Sequence, residues 1–199
     1  MDPHPDNPIL LTDRLIIRPF QMDDLLPIHR ILTEAFKEQI NDEQAALAGR
    51  RSWLEWSELS QVWLPRLHQP PYGDRAVVLR SNRRLIGAVG LVPCLSPFDQ
   101  IPELRTSPES SGLSTTEMGL FWAIDPSEQR RGYASEAGQT LIDFAFRRLR
   151  VIRIIATTEY ENAASQAVMR KLGMRVYRNP LPTPPWLQVV AVLDNPGNI

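Results

Sequence analysis

The apolar run Met118-Gly119-Leu120-Phe121-Trp122-Ala123-Ile124 is followed closely by Gln129-Arg130-Arg131-Gly132-Tyr133-Ala134, and then by a stretch with helical periodicity over residues 135–146. The run predicts a buried strand, the last stretch a helix, and the segment between them a small glycine-containing turn. This order constrains the fold more than any other feature of the chain. A turn placed at a helix N-terminus exposes backbone N–H groups that have no acceptor within the helix, and the positive end of the helix dipole lies behind them. Such a turn suits a phosphate. Gly132 and Ala134 are small, so a ligand can approach the backbone closely. No Lys-Ser or Lys-Thr follows the glycine, which excludes the nucleoside-triphosphate loop, and there is no three-glycine dinucleotide fingerprint.

The rest of the chain reads as alternating strands and helices. Residues 15–18 predict a first strand, and Gln21 or Asp23 caps a helix that runs to about Phe36, with Pro27 tolerated in its first turns. Residues 42–66 predict a second helix, with Leu47, Leu54, Leu59, Val62 and Trp63 among its apolar positions. Residues 75–80 and 84–92 predict a strand pair joined by the turn Ser81-Asn82-Arg83. Residues 93–115, rich in Pro and Ser, predict a long irregular segment. Beyond the phosphate turn and its helix, residues 151–158 predict another strand. Asn162 then caps a helix whose apolar stripe is Ala164, Ala167, Val168 and Leu172, and Gly173 stops it. Residues 174–178 and 186–193 predict two last strands. A mixed sheet flanked by helices, an α/β (α+β) class, is the architecture this order favours.

Composition narrows the function. A length of 199 residues suits one well-packed domain, and a net charge of −1 gives no general case for nucleic acid or an anionic membrane as partner. Cys94 is the single cysteine, so no internal disulfide is possible. No apolar run of about 18 residues exists, so no membrane span is expected. The opening Met1-Asp2-Pro3-His4-Pro5-Asp6 lacks the basic-then-apolar pattern of a secretory signal, and a soluble cytoplasmic protein is expected.

Three separated segments resemble the motifs of one family. Gln129-Arg130-Arg131-Gly132-Tyr133-Ala134 is similar to the acetyl-CoA pyrophosphate loop of the GNAT superfamily of N-acetyltransferases. Asn162-Ala163-Ala164-Ser165, followed by Lys171-Leu172-Gly173-Met174, resembles that superfamily's second cofactor-contacting motif. Leu11-Thr12-Asp13-Arg14-Leu15 with Ile16-Ile17-Arg18-Pro19-Phe20, then Asp23-Asp24, is similar to the opening of the RimJ/RimL-like, ribosomal-protein branch. Together they cover about residues 10–178.

The resemblance implies a GNAT fold with a mostly antiparallel central sheet, in which two neighbouring strands splay apart around the pantetheine arm of acetyl-CoA. It implies one N-acetyltransferase domain over residues 1–199, with its core at about 10–194. Backbone groups of Phe121, Trp122, Ala123 and Ile124 would pair with the pantetheine. Gln129, Arg130, Arg131, Gly132, Tyr133, Ala134 and Ser135 would carry the pyrophosphate, and Asn162 would bond the pantetheine arm. Acetyl would pass directly to a primary amine in a ternary complex, with no metal. Many relatives place a Tyr seven residues after the Asn to protonate the thiolate; here that position is Met169, and Ser165 is the candidate acid, with Tyr160 and Tyr177 less well placed. Some relatives carry a Glu base where this chain has Thr157, which leaves Glu117 as the candidate base. Phe36, Trp53, Trp56, residues 93–115 and Trp186 would build the acceptor pocket. The acceptor is a protein N-terminus or a small-molecule amine, and the chain is a monomer or a homodimer. The alternative reading is a non-catalytic acyl-CoA-binding regulatory module of the same fold.

Overall fold

Leu10–Leu11 (β1) and Leu15–Pro19 (β2) form the first antiparallel pair, with Leu10 opposite Ile17. The structure, a computed structural model, describes residues 8–105, 107–109 and 111–198. The opening Met1-Asp2-Pro3-His4-Pro5-Asp6 lies outside them. The remaining elements are helices Leu25–Phe36 (α1) and Glu43–Arg66 (α2), strands Gly73–Leu79 (β3), Leu85–Ser96 (β4) and Thr115–Ile124 (β5), helix Tyr133–Arg147 (α3), strand Arg153–Thr158 (β6), helix Ala163–Lys171 (α4), and strands Arg175–Arg178 (β7) and Val189–Asp194 (β8). The strand order is β1-β2-β3-β4-β5-β6-β8-β7. The pairs β1–β2, β2–β3, β6–β8 and β7–β8 are antiparallel and β5–β6 is parallel, which is the mixed, mostly antiparallel sheet with helices expected above.

The chain divides into two compact units, each discontinuous in sequence. The first takes Met1–Gly90 and Phe121–Leu141. Its core gathers Ile16, Phe20, Leu25, Ile28, Ile31, Leu32, Leu54, Ala76, Val78, Leu85, Ala88 and Ala123. Ile28, Ile31 and Leu54 are fully buried, and each contributes roughly 1.5–3 kcal/mol relative to an exposed position. α1 does not start directly at Gln21 or Asp23. A 3-10 turn, Met22–Asp24, comes first, because Asp24 is buried and bound by Arg18 at 2.7 and 2.8 Å, and its carboxylate also accepts the Gln21 N–H. Pro27 then falls in the first turn of α1, where its missing N–H costs no helical bond. α2 begins as predicted, since Asp42 accepts the Ala45 N–H at 3.0 Å.

Trp53 of α2 is partly buried and packs against this core. Its ring meets Phe20 edge-on at 5.0 Å, and its Nε1 donates to Asp74 Oδ2 at 3.1 Å. Asp74 Oδ1 is buried without a hydrogen-bond partner. A Cβ at Gly90 would lie 2.1 Å from that oxygen, so only glycine permits the approach. Burial raises the Asp74 carboxyl above its ordinary range, and the Trp53 bond opposes the shift without cancelling it. Trp56, by contrast, is exposed on α2.

The second unit takes Leu91–Leu120 and Ile142–Ile199. β6 runs antiparallel to β8, with Arg153 opposite Asp194, and β5 runs parallel to β6 with Met118 opposite Ile154 and Gly119 opposite Ile155. Gly119 is a packing glycine: a Cβ there would meet the Val92 carbonyl oxygen at 3.0 Å and Cys94 Sγ at 3.3 Å. Phe98, Ile101, Ile155, Leu187, Val190 and Val192 form the core. Residues 93–115 are therefore only partly irregular. β4 extends to Ser96, and two 3-10 turns, Phe98–Gln100 and Pro102–Leu104, bury Phe98 and Ile101. The last strand starts at Val189 rather than Trp186, because Pro185–Leu187 forms a 3-10 turn that leaves Trp186 exposed.

Candidate functional site

In the first unit the turn after β5 is built by buried carboxylates. The Asp125 N–H bonds the Ile86 carbonyl at 2.8 Å. Asp125 Oδ1 accepts from the Ser127 N–H and hydroxyl at 2.9 and 2.6 Å, which caps the 3-10 turn Pro126–Glu128, and Oδ2 accepts from Arg30 at 2.6 Å. Burial alone would raise the Asp125 carboxyl; the bonds from Ser127 and Arg30 outweigh it and hold the group below its usual range. Glu128, also buried, takes Arg84 and Arg131 together. Gln129 Nε2 donates to the Ile124 carbonyl at 3.0 Å, tying the turn back to the strand end.

The backbone then changes hand twice. Arg130 has φ +60° and Gly132 φ +83°. Left-handed residues alternating with ordinary ones turn successive N–H groups toward a common concavity, an anion-binding arrangement. α3 starts at Tyr133, two residues earlier than the periodicity indicated, and the Glu136 N–H closes the first helical bond on the Gly132 carbonyl at 3.0 Å. The N–H groups of Tyr133, Ala134 and Ser135 thus belong to the helix's first turn and have no acceptor within the helix. Arg130 and Arg131 are exposed.

The N-terminal motif reaches the same place. Arg14 Nε donates to Glu136 Oε2 at 2.7 Å, its NH1 donates to the Arg131 carbonyl at 3.1 Å, and its guanidinium lies 4.5 Å from the Tyr133 ring centroid. Thr12 Oγ1 donates to Glu136 Oε1 at 2.5 Å. Burial would raise the Glu136 carboxyl, but these bonds and the Arg14 charge leave it below its usual range.

In the second unit Asn162 caps α4, its Oδ1 accepting the Ser165 N–H at 3.0 Å. Asn162 is exposed and Ser165 half-buried. Met169, in the position where many relatives carry a Tyr, is fully buried. Tyr160 is committed elsewhere: its hydroxyl is 2.6 Å from the Asn179 carbonyl oxygen, and Arg178 lies 3.8 Å over its ring. The Tyr177 hydroxyl accepts from Arg175 at 3.0 Å. Glu117 is held by Arg153, which donates from Nε to Oε2 at 3.0 Å and from NH2 to Oε1. The Cys94 thiol donates to the Glu117 carbonyl at 3.4 Å, and burial, with the Glu117 charge, pushes it up to about 11, so it stays protonated at neutral pH.

A family model for the acetyltransferase (GNAT) domain matches residues 14–175. The chain belongs to the GNAT family. Over 64 residues this GNAT chain is 45% identical to YnaD of Bacillus subtilis (strain 168), named as an uncharacterized N-acetyltransferase; the match is 32% of this chain and 36% of that protein. It spans between 36% and 48% of the length of the curated relatives it matches. The fold superposes on an acetyltransferase from Agrobacterium tumefaciens str. C58 with a TM-score of 0.66, at 19% identity over 94% of each chain. It also superposes on RimL, a ribosomal L7/L12 alpha-N-protein acetyltransferase solved in complex with coenzyme A, with a TM-score of 0.60, at 14% identity over 94% of each chain. At those identities the likeness is one of fold.

Several residues of the GNAT loop escaped the sequence reading. Asp125-Pro126-Ser127 carries a recognisable turn signal, an Asp two residues before the N–H it accepts. Glu128 stands three residues before Arg131 and pairs with it locally. Arg14 and Glu136 gave no such signal, since 122 positions separate them.

Proposed function

We propose that the chain is an acetyl-CoA-dependent N-acetyltransferase that acts on a primary amine. The observation that carries this reading is the turn at 129–135 of a GNAT-family chain, with its alternating backbone hand, helix start and small residues. Its N–H groups and the helix dipole suit the pyrophosphate of acetyl-CoA. Phe121, Trp122, Ala123 and Ile124 lie beyond the two β5–β6 register positions, which supports pairing of their backbone with the pantetheine. Asn162 is assigned to the pantetheine arm; its exposure leaves it open to a ligand while it caps α4.

In the reaction the free amine attacks the thioester carbonyl directly, the C–S bond breaks, and coenzyme A leaves as thiolate. Ser165 gives that thiolate a proton and is reprotonated by solvent. Glu117, directly or through a water, takes the proton lost by the amine. The Arg153 ion pair favours a second reading of this step, in which Glu117 holds Arg153 and solvent takes the proton. The acceptor is a protein N-terminus, as the name of RimL states for that protein, or a small-molecule amine. We further propose one domain over residues 1–199, with its core at about 10–194, cytoplasmic, monomeric or homodimeric. Among the described residues no helix is long and apolar enough to cross a membrane.

A non-catalytic acyl-CoA-binding role is the competing reading, and the buried Met169 in place of a tyrosine acid is the observation in its favour. A panel of N-terminal peptides, polyamines, aminoglycosides and amino acids, incubated with acetyl-CoA and read by product mass, separates the two. Acetylated product with matching thiol release supports the enzyme. Binding of acetyl-CoA with no product across the panel supports the module.

A further inference from the structure

We propose that Arg14 is a positioning residue for the anion-binding loop: by holding the Arg131 carbonyl and Glu136 it turns the Gly132 N–H toward the acetyl-CoA pyrophosphate. The inference rests on the loop reading given under Proposed function. A trans peptide holds its C=O and N–H antiparallel. The Arg131–Gly132 peptide is trans, so the direction of the Arg131 carbonyl fixes the direction of the Gly132 N–H. Arg14 NH1 takes that carbonyl at 3.1 Å. A carbonyl drawn to a guanidinium cannot point into the concavity where it would repel a phosphate.

The same guanidinium is fastened at two further points. Its Nε bonds Glu136 at 2.7 Å in the first turn of α3, and its face lies 4.5 Å from the Tyr133 ring centroid. Arg14 thus spans the loop and the helix start, and sets one against the other. Thr12 steadies the arrangement from below, donating to the second Glu136 oxygen and accepting the Arg14 N–H at 3.2 Å. The planar fork of arginine suits this three-way role. A lysine ammonium can reach Glu136, but it lacks the second arm for the carbonyl and the flat face for Tyr133.

The test measures coenzyme A affinity by calorimetry on wild type, Arg14→Gln and Arg14→Lys, with thermal unfolding of each unliganded protein alongside. A charge-assisted hydrogen bond to a loop carbonyl predicts affinity about ten- to a hundredfold weaker in Arg14→Gln. Arg14→Lys should lose affinity as well, and where Arg14→Gln does not fold it decides alone. In acetyl transfer the loss should fall on KM for acetyl-CoA and leave kcat within about threefold, because loop contacts bind ground and transition states alike. Wild-type affinity in either folded variant would overturn the proposal. So would a loss that disappears at about 0.5 M salt, since that marks a screened charge acting directly on the ligand rather than a fixed backbone. A wild type that does not bind coenzyme A brings down the loop reading itself, and this inference with it, a result distinct from a variant-specific change.

Discussion

Arg153 donates to both carboxylate oxygens of Glu117, across the β5–β6 pair of the second unit. The pair fixes the orientation of the carboxylate on β5. Glu117→Gln tests its part in the reaction. If Glu117 is the base, the rate should fall by about 10²–10⁴-fold, most severely at low pH, where the amine acceptor is protonated, and recover partly as pH rises. A pH–rate profile that overlays wild type assigns Glu117 to the ion pair alone.

Asn162 caps α4 by accepting the Ser165 backbone N–H, a bond that does not use the Ser165 hydroxyl, the proposed proton donor to the thiolate. Ser165→Ala should lower kcat by about 10²-fold or more while coenzyme A affinity changes little. Unchanged turnover would leave Ser165 as an ordinary helix residue.

Gly132→Glu should weaken acetyl-CoA binding by at least about a hundredfold. It places a negative charge where the phosphates are proposed to lie, and a side chain on a residue with φ +83°, where only glycine sits without strain. Calorimetry on the folded variant reads the result. Retained affinity would remove the loop from the binding site.

Asp74→Asn concerns stability rather than catalysis. The Asp74 carboxyl is raised by burial, so the folded state holds its proton more tightly than the unfolded chain does. Stability on its account is therefore greatest below the ordinary aspartate value of about 3.9 and declines as pH climbs through the raised value. Asparagine keeps an acceptor for Trp53 and carries no charge. The variant should unfold about 2–4 °C higher at pH 7, and its advantage should shrink as the pH falls through the raised value and be gone below about 4. Equal melting temperatures at pH 7 would show that the carboxylate is tolerated at no cost.

What could be read from the sequence follows the range of the forces involved. The start of α2 was legible because Asp42 caps it within one turn, and the end of α4 because Gly173, at φ +75°, stops it locally. Phe98 and Ile101 were missed as core residues because one 3-10 turn is too short to show a period. Trp186 was placed in a strand because its apolar neighbours run on to Leu193, while Pro184 and Pro185 impose a turn first. The candidate cofactor loop was legible in outline, as glycine between strand and helix. Its buttress was not, since Arg14 stands 117 positions from the carbonyl it holds. Glu117 looked free in the sequence for the same reason: its partner is 36 positions away.

The interleaving of the two units sets an order on synthesis. Residues 1–90 emerge from a ribosome without the segment Phe121–Leu141 that completes the first unit. At 5–20 residues per second they wait roughly 3–10 s for it. During that interval Ala76, Val78, Leu85 and Ala88 lack Ala123, their companion in the finished core. Arg14 likewise waits with its loop carbonyl not yet made. For that interval the nascent chain presents the apolar faces of these strands to chaperones and proteases.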